Sequence, residues 1–341
     1  MSSVISGYTT LKDAIEMDYP FTQSIASMLD FCDEVCVLDS STKEDTWQVL
    51  LDLQKKYGGR LKIHHENIDW SAPNHGIFDG KTKQLAREMC RGQYLFQFDC
   101  DEIIHEEQAN LIRPMIASVS EELRKTPILA LPVVEYWGRL GKTRIDVNLW
   151  KWRISLRTKD IVHGIPIELR HTDPVTGLEY SKPGSDSCDY ISRATGERYS
   201  CISFVPREID VLRLHSITCD PFGDEIKQME IWFNAAVRQL PTIHHYSWFN
   251  IERKIKQYKL FWTGFWKALY NLNRDERDNP FFPGKLWSEV TPEMIKELAF
   301  KLETETGGHI FHKPWTGEKT NSVRIFQSHP KIMNEWIKAH I

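Results

Sequence analysis

The sequence has little that would tie the protein to a membrane or to nucleic acid. In its 341 residues, no apolar run approaches the ~18 to 20 residues that cross a bilayer, and residues 1–10 lack a basic region followed by an apolar one. Lys and Arg number 43 against 47 Asp and Glu, a formal net charge of −4, which argues against a large phosphate-binding face. These absences predict a cytoplasmic protein with no nucleic-acid partner.

Several common site motifs are also missing. The seven cysteines are an odd number without a C-x-x-C pair, so they fit neither a secreted disulfide framework nor a zinc ribbon, and we expect reduced thiols. No strand leads into a G-x-G-x-x-G turn, and the sequence has no P-loop and no G-x-S-x-G elbow. These gaps argue against dinucleotide binding, P-loop nucleotide hydrolysis and serine-elbow hydrolysis.

Short β-rich runs alternate with helical segments through the first hundred residues. We predict strands at 4–9, 34–38, 61–64 and 93–98, and helices at 11–31, 47–57 and 81–91. Further strands are predicted at 128–136 and 147–154, and later helices at 225–238, 251–272, 292–302 and 331–340. The alternation is typical of βαβ units, so we predict an α/β fold whose mostly parallel sheet is flanked by helices, with a domain boundary near residue 220.

Acidic side chains follow two of the predicted strands. Asp39 and Asp99 each come directly after an apolar strand, and in open α/β sheets the ligand crevice lies outside the carboxyl ends of the strands. Asp101 lies two residues beyond Asp99, so an extended chain presents both carboxylates on one side. Hard cations such as Mg²⁺ or Mn²⁺ bind through such carboxylates plus substrate phosphates, although an acidic loop or a helix N-cap gives the same pattern.

Three segments of the first hundred residues resemble the GT-A glycosyltransferases, in particular the family-2-like sugar transferases. Ser6-Gly7-Tyr8 stands where that family's first strand meets the nucleotide. The run VLDSSTKEDT (37–46) is similar to the family's V-V-D-x-x-S-x-D-x-T pattern, and GQYLFQFDCD (92–101) is similar to its G-x-Y-hydrophobic-hydrophobic-D-x-D segment. A basic helix precedes the last segment in both.

The resemblance implies a GT-A (Rossmann-like) fold with a nucleotide-sugar-binding and catalytic domain over residues 1–220. It implies that the mainly helical region 221–341 contributes to the acceptor side, and that the cofactor is Mn²⁺ or Mg²⁺. The donor residues that it implies are Ser6, Gly7, Tyr8, Asp39, Lys81, Lys83 and Asp99, and the metal ligands are Asp99, Asp101 and His245.

The assignment of His245 as a metal ligand rests on a similarity later in the chain. The run IHHYSW (243–248) resembles a His-Tyr-aromatic motif near the family's C-terminal region, where several members place a further metal ligand. A histidine packed in an aromatic cluster gives the same pattern, and His163 or His215 are alternatives for the ligand. Strand 148–154 resembles the family's arginine-bearing strand, but the turn after it carries Gly164 where a Glu is expected.

Sugar transfer with inversion requires a carboxylate that deprotonates the acceptor hydroxyl. The candidates in the expected span are Glu135, Asp146, Asp160 and Glu168. We assign the role to Glu168, which lies four residues beyond Gly164 in a strand-like run. A transferase that retains configuration does not need such a base.

The predicted function is a metal-dependent glycosyltransferase that moves a sugar from a nucleotide sugar, with a UDP-sugar favoured, to a saccharide or other hydroxyl acceptor. The alternatives are a non-catalytic carbohydrate- or partner-binding protein of the same fold and a nucleotidyltransferase. Twelve tryptophans, most of them beyond residue 130, lead us to expect rings that line the acceptor cleft. The basic and aromatic segment 254–267 is predicted either to pack on the catalytic domain or to touch a membrane surface peripherally.

Overall fold

A computed structural model describes most of the chain. The described residues are 4–69, 75–139, 141–144, 150–172, 174, 179–181, 189–203, 223–259, 279, 281–306 and 322–341. The chain forms two compact units. In the described part, the first comprises Met1–Ala130 and Trp152–Ile202, and the second comprises Leu131–Lys151, Ser203–Thr263 and Arg274–Ile341. The predicted boundary near residue 220 lies outside the described residues and stays a prediction.

The elements follow in chain order. The strands are β1 (Ile5–Leu11), β2 (Glu34–Asp39), β3 (Leu61–His65), β4 (Tyr94–Gln97), β5 (Glu102–Ile104), β6 (Ile128–Trp137), β7 (Lys142–Arg144), β8 (Trp150–Leu156), β9 (Ile161–Gly164), β10 (Arg170–Thr172), β11 (Glu179–Ser181), β12 (Asp189–Ser192), β13 (Cys201–Ser203), β14 (Ile243–Trp248) and β15 (Ser322–Arg324). The helices are α1 (Phe21–Leu29), α2 (Glu44–Tyr57), α3 (His75–Glu88), α4 (Ile112–Ser118), α5 (Gly223–Gln239), α6 (Ile251–Gln257), α7 (Pro292–Lys301) and α8 (Asn334–Ala339).

The sheet of the first unit has the order β8-β4-β1-β2-β3. β1 pairs in parallel with β2 and with β4, β2 pairs in parallel with β3, and β8 is antiparallel to β4. Helices α1, α2 and α3 connect the successive parallel strands, as the βαβ pattern requires. The prediction of an α/β fold with a mostly parallel sheet flanked by helices is confirmed.

Alternate residues of β1 face different helices. A Cβ built on Gly7 would lie 3.0 Å from Met28 Sδ and 3.2 Å from Cys32 Sγ, so this glycine lets α1 and the turn after it approach the strand closely. Tyr8 points to the other face, where it packs with Ala86 of α3 and with neighbouring sheet residues. β1 is therefore covered on both faces, which explains its nearly complete burial.

The predicted helix over 11–31 is wrong in its first half. β1 continues to Leu11, and the helix begins only at Phe21, after Pro20. Between them, Asp13 and Asp18 have φ angles of 45° and 54°, a left-handed conformation that interrupts any helix. The apolar spacing of this segment reflects a buried loop rather than a helical face.

Gly92 brings the start of β4 against β1. Its N–H donates to Ser6 Oγ at 2.7 Å, and the N–H of Gln93 donates to Val4 O at 2.9 Å. A Cβ at position 92 would lie 2.6 Å from Ser6 N, so only glycine fits here without displacing backbone. The pairing that follows aligns Tyr8 with Gln97.

The second unit is built on β6. β14 pairs with β6 in parallel, with His245 opposite Glu135, while β7 pairs with β6 and β15 pairs with β7 in antiparallel fashion. Trp137 is fully buried and stacks on Trp248 with ring centroids 5.2 Å apart. Aromatic side chains thus fill the core of this unit.

Two further observations concern the described helices and cysteines. Among the residues described, no helix combines the length and the apolar character that spanning a bilayer would take. Cys32, Cys36, Cys90, Cys100 and Cys201 are free thiols, as expected.

Candidate functional site

Polar residues collect where the parallel strands of the first unit end. Leu11 lies opposite Asp39, and Asp39 lies opposite His65, so β1, β2 and β3 end at one level. Phe98 donates its N–H to Tyr8 O, which brings the residues after β4 to the same edge. With neighbouring strands about 4.8 Å apart, Asp39 and Asp99 lie on either side of β1 at a separation of about 10 Å.

Asp39 is buried and fixes two neighbours. Its Oδ1 accepts from the Ser41 hydroxyl at 2.6 Å, and its Oδ2 lies 3.0 Å from His65 Nδ1. Asp39 itself has no exposed surface, whereas the His65 side chain is one-third exposed. His65 is therefore the accessible group of the pair, and Asp39 orients its ring. His65 was not among the predicted site residues, although it ends the third strand as Asp39 ends the second and Asp99 follows the fourth.

Asp13 ties the loop after β1 to the loop after β2. Its carboxylate accepts from the Thr42 N–H at 2.7 Å and from the Thr42 hydroxyl at 2.9 Å, and it forms an ion pair with Lys12. Burial raises the pKa of Asp13, but the hydrogen bonds from Lys12 and Thr42 outweigh burial and hold that pKa below its ordinary value. A left-handed Asp is costly, and these contacts compensate for it.

Arg153 of β8 organises the acidic segment after β4. Its Nε and Nη2 donate to the two Glu102 carboxylate oxygens at 2.8 and 2.7 Å, and Nη2 also donates to Asp99 Oδ2 at 2.7 Å. Its Nη1 donates to Gln97 Oε1 at 2.5 Å. Burial would lower the pKa of Arg153, but the two carboxylates outweigh burial and raise it, so the guanidinium is permanently charged.

Asp99 is the exposed member of this cluster. Its side chain is 33% exposed, whereas Glu102 is fully buried and Asp101 is buried. Lys83 of α3 reaches Asp99 Oδ1 at 3.1 Å and Asp79 at 3.4 Å. The predicted residues Lys83, Asp99 and Asp101 are thus brought together at the carboxyl edge, while Lys81 is exposed on the same helix.

The chemistry of this cluster fits a hard divalent cation. Among the described residues, no three His, Cys, Asp or Glu side chains converge on a common metal position. Mg²⁺ and Mn²⁺ sites, however, are usually built from one or two carboxylates and completed by substrate phosphates and water. The carboxylates of Asp79, Asp99 and Glu102 stand here in ion pairs with Lys83 and Arg153.

Ser6, Gly7 and Tyr8 lie inside β1 and not at its carboxyl end. Ser6 is fully buried and donates to Glu34 at 2.8 Å, and Gly7 serves the packing of α1. The Tyr8 hydroxyl lies 2.6 Å from His163 Nε2 and 3.1 Å from the Tyr190 hydroxyl. Burial raises the pKa of Tyr8 well above its ordinary value, so the phenol is neutral. Because β1 runs two residues further than predicted, these residues form the core and Lys12 and Asp13 follow the strand end.

His245 lies in a charged cluster of the second unit. Its Nδ1 is 2.5 Å from Glu135 Oε2 and 3.0 Å from Lys151 Nζ. A single ring nitrogen cannot donate to the carboxylate and accept from the ammonium at once, so the bond to Glu135 requires a proton on Nδ1. Burial would raise the pKa of Glu135, but His245 and Lys151 outweigh burial and lower it to about 2. The role of His245 as a metal ligand stays a prediction.

The other candidate acids have different surroundings. Glu168 is exposed on the single 3₁₀ turn Ile167–Leu169. Asp160 is engaged by the Tyr199 hydroxyl and by Ala194 N–H, which lower its pKa. Asp146 and His215 lie outside the described residues.

Most tryptophans of the second unit that the structure describes are core residues. Trp137, Trp248 and Trp287 are buried, and Trp248 packs against Tyr258 and Phe281. The expectation that some rings of this region line an acceptor cleft stays a prediction. In the segment 254–267, Lys254 is buried and donates to Ser247 Oγ at 2.6 Å beneath the Trp248 ring, whereas Lys256 and Lys259 are exposed. Residues 260–267 lie outside the described part of the chain.

No family model matches the sequence, and no curated protein matches it. Among solved structures, the chain is similar to S. aureus TarS, with 16% identity and a TM-score of 0.33 over 76% of this chain and 47% of that chain. The chain is 14% identical to TarS 1-349 in complex with UDP-GlcNAc, with a TM-score of 0.32 over 87% of this chain and 89% of that chain. It is 12% identical to the mannosyltransferase PcManGT from Pyrobaculum calidifontis in complex with GDP-Man and Mn²⁺, with a TM-score of 0.29 over 46% of this chain and 45% of that chain.

These likenesses concern the fold alone. The chain spans about half the length of the full TarS chain, at 47%.

Proposed function

We propose that this protein transfers a sugar from a nucleotide-sugar donor, a UDP-sugar, to a hydroxyl acceptor in a reaction that depends on Mn²⁺ or Mg²⁺ and inverts the anomeric centre. One observation carries the proposal. At the carboxyl edge of a parallel sheet, an exposed carboxylate, Asp99, lies with two cations on one side of β1, and the Asp39–His65 pair lies on the other side. A crevice at this edge is where open α/β sheets bind ligands.

The two sides of β1 suit the two parts of the donor. On the β4 side, Asp99 and Asp101 would hold the divalent ion, and Lys83 is close enough to contact the diphosphate by releasing Asp99. When bound, the ion supplies Lewis-acid neutralisation of the charge on the leaving diphosphate. On the β2 side, Asp39 holds His65, whose exposed ring edge would contact the ribose or base.

Arg153 positions the acidic segment. By bonding both oxygens of Glu102 and one oxygen of Asp99, it fixes the chain between these residues. Asp99 and Asp101 then keep their orientation before any ligand arrives, which reduces the cost of binding.

Glu168 is the general base in this proposal. A base works best when its pKa lies near the operating pH, and the pKa of about 2 makes Glu135 a poor base. Glu168 is exposed to solvent. We expect Glu168→Gln to retain donor affinity but to lose transfer by ~10²-fold or more. A Glu197→Gln control removes an exposed acid of the same unit, and equal transfer by both variants would contradict the assignment.

The decisive experiment measures release of UDP from UDP-sugars with and without Mn²⁺. We expect Asp99→Asn and Asp101→Asn to lower the rate of release by ~10²-fold or more, because each removes charge needed at the leaving diphosphate. Asp52→Asn is the matched control, since Asp52 is exposed on α2 and pairs only with the exposed Lys55 among the residues described.

Three outcomes contradict the proposal. If Asp99→Asn and Asp101→Asn release UDP as fast as Asp52→Asn, the acidic segment is not the site. Saturable binding of UDP-sugars without release from any donor would indicate the non-catalytic binding protein. Release of pyrophosphate from a nucleoside triphosphate and a sugar phosphate would indicate the nucleotidyltransferase.

A further inference from the structure

A second concave site lies at the other end of the first unit's sheet. It is a cavity of about 460 Å³ beside the last turns of α3, the start of β4 and the turn between β8 and β9. The N–H of Arg157 in that turn donates to Gln93 O, one residue before β4 begins, whereas Asp99 follows the end of β4. Six residues of chain separate these positions, and none of the residues that line the cavity is among the proposed donor or metal ligands.

The walls of this cavity are strongly cationic. Arg87, Arg157, Lys159 and Arg193 line it, and Glu88 is the one carboxylate among the residues that line it. Glu88 lies 3.5 Å from Arg193, so at most one of the four cations is neutralised locally. A concave surface with this excess of positive charge concentrates anions.

Arg87, which lines the cavity, carries a buried charge with no carboxylate partner among the residues described. Arg87 is only 3% exposed. It donates to Ile161 O at 3.2 Å, to Ser155 Oγ at 2.6 Å and to Leu156 O at 2.7 Å, all of them neutral acceptors. Within the described residues, no carboxylate forms an ion pair with Arg87. Burying an unbalanced charge is costly, and an anion in the cavity would supply the missing charge.

Asp160 joins the two turns that carry the exposed cations. Its backbone oxygen accepts from the N–H of Arg193 at 2.7 Å, and its carboxylate accepts from the N–H of Ala194 at 3.0 Å and from the Tyr199 hydroxyl. The backbone that carries Arg157 and Lys159 is thus tied to the backbone that carries Arg193.

We propose that this cavity binds a small molecule that carries a phosphate or diphosphate group. Arg157, Lys159 and Arg193 would contact its oxygens, and Arg87 would add charge from beneath. Guanidinium groups match phosphate oxygens in a bidentate manner, and the volume is in the range of small-molecule sites. The proposal does not depend on the sugar-transfer proposal, because the residues and the end of the sheet are different.

Isothermal titration calorimetry of the full chain with pyrophosphate, in metal-free buffer with a chelator, tests the proposal. We expect saturable binding at one site. The double variant Arg157→Gln/Arg193→Gln should weaken it by roughly 10-fold or more, and Lys159→Gln should weaken it by a smaller factor. The matched control is Lys55→Gln/Arg124→Gln, which removes two exposed surface cations of the same unit.

Lys83→Gln, which removes the cation beside Asp99, should leave pyrophosphate binding intact, which separates this cavity from the carboxyl edge. The proposal is overturned if pyrophosphate shows no saturable binding, if the double variant and the control bind it equally, or if Lys83→Gln weakens binding as much as the double variant does. Unchanged circular dichroism of the variants confirms that they fold. If the double variant does not fold, Lys159→Gln alone decides, and unchanged affinity in it overturns the proposal.

Discussion

Two buried arginines of the first unit, Arg153 on β8 and Arg87 on α3, have opposite surroundings. Arg153 donates to the carboxylates of Glu102 and Asp99. Arg87 donates to one hydroxyl and two carbonyl oxygens and to no carboxylate that the structure describes. One buried charge is therefore neutralised by acidic neighbours, whereas the other, as we propose, is neutralised by a bound anion.

The largest effect is expected where the buried pair is broken. Arg153→Met leaves the fully buried Glu102 without its partner, so we expect the free energy of unfolding to fall by about 3–5 kcal/mol in urea denaturation. The double variant Arg153→Met/Glu102→Gln removes the stranded charge and should recover part of this loss. No recovery would mean that packing, and not charge pairing, explains the stability.

A buried carboxylate of the second unit, Glu135, makes the stability of the protein depend on pH. The pKa of Glu135 falls from 4.5 to about 2 on folding, so its contribution is fully present above pH 4.5 and is lost as pH falls through 2. We expect about 3 kcal/mol of stability to disappear over this range. Urea denaturation of the wild type and Glu135→Gln at several pH values measures it. The same pH slope in both would contradict the prediction.

A smaller effect is expected at Arg87. Arg87→Met leaves three neutral acceptors without their donor but also removes an unbalanced buried charge. We therefore expect the free energy of unfolding to fall by about 1–3 kcal/mol in the same denaturation experiment. The exposed Arg124→Met is the control and should change stability by about 0.5 kcal/mol or less. If Arg87→Met lowers the free energy of unfolding more than Arg153→Met does, the distinction between the two arginines is contradicted.

The elements of the first unit could be predicted well from the sequence. Strands β2, β3 and β4 lie within a residue or two of their predicted positions, and β2 and β4 are short apolar runs bounded by polar turns. The error at residues 11–20 has a physical cause, since left-handed Asp13 and Asp18 depend on contacts with residues distant in sequence, such as Thr42. Local periodicity contains no information about such contacts.

The candidate site was predicted only in part. Asp39 and Asp99 could be placed at one edge because the carboxyl ends of parallel strands meet there. The partners of Asp99 could not be predicted, because Arg153 reaches it through the antiparallel pairing of β8 with β4, across 54 residues. The burial of Ser6 and Tyr8 likewise follows from helices packed on both faces of β1, which the strand pattern does not reveal.

Gly92 contacts neither site, yet it sets the distance between them. Because its backbone lies directly against Ser6, β4 enters the sheet at one fixed height, and the alignment of Tyr8 with Gln97 follows. Leu95 of β4 lies at the wall of the cationic cavity, and Asp99 follows two residues after the end of β4 at the carboxyl edge. A side chain at position 92 would displace the start of β4 and would therefore shift both residues together.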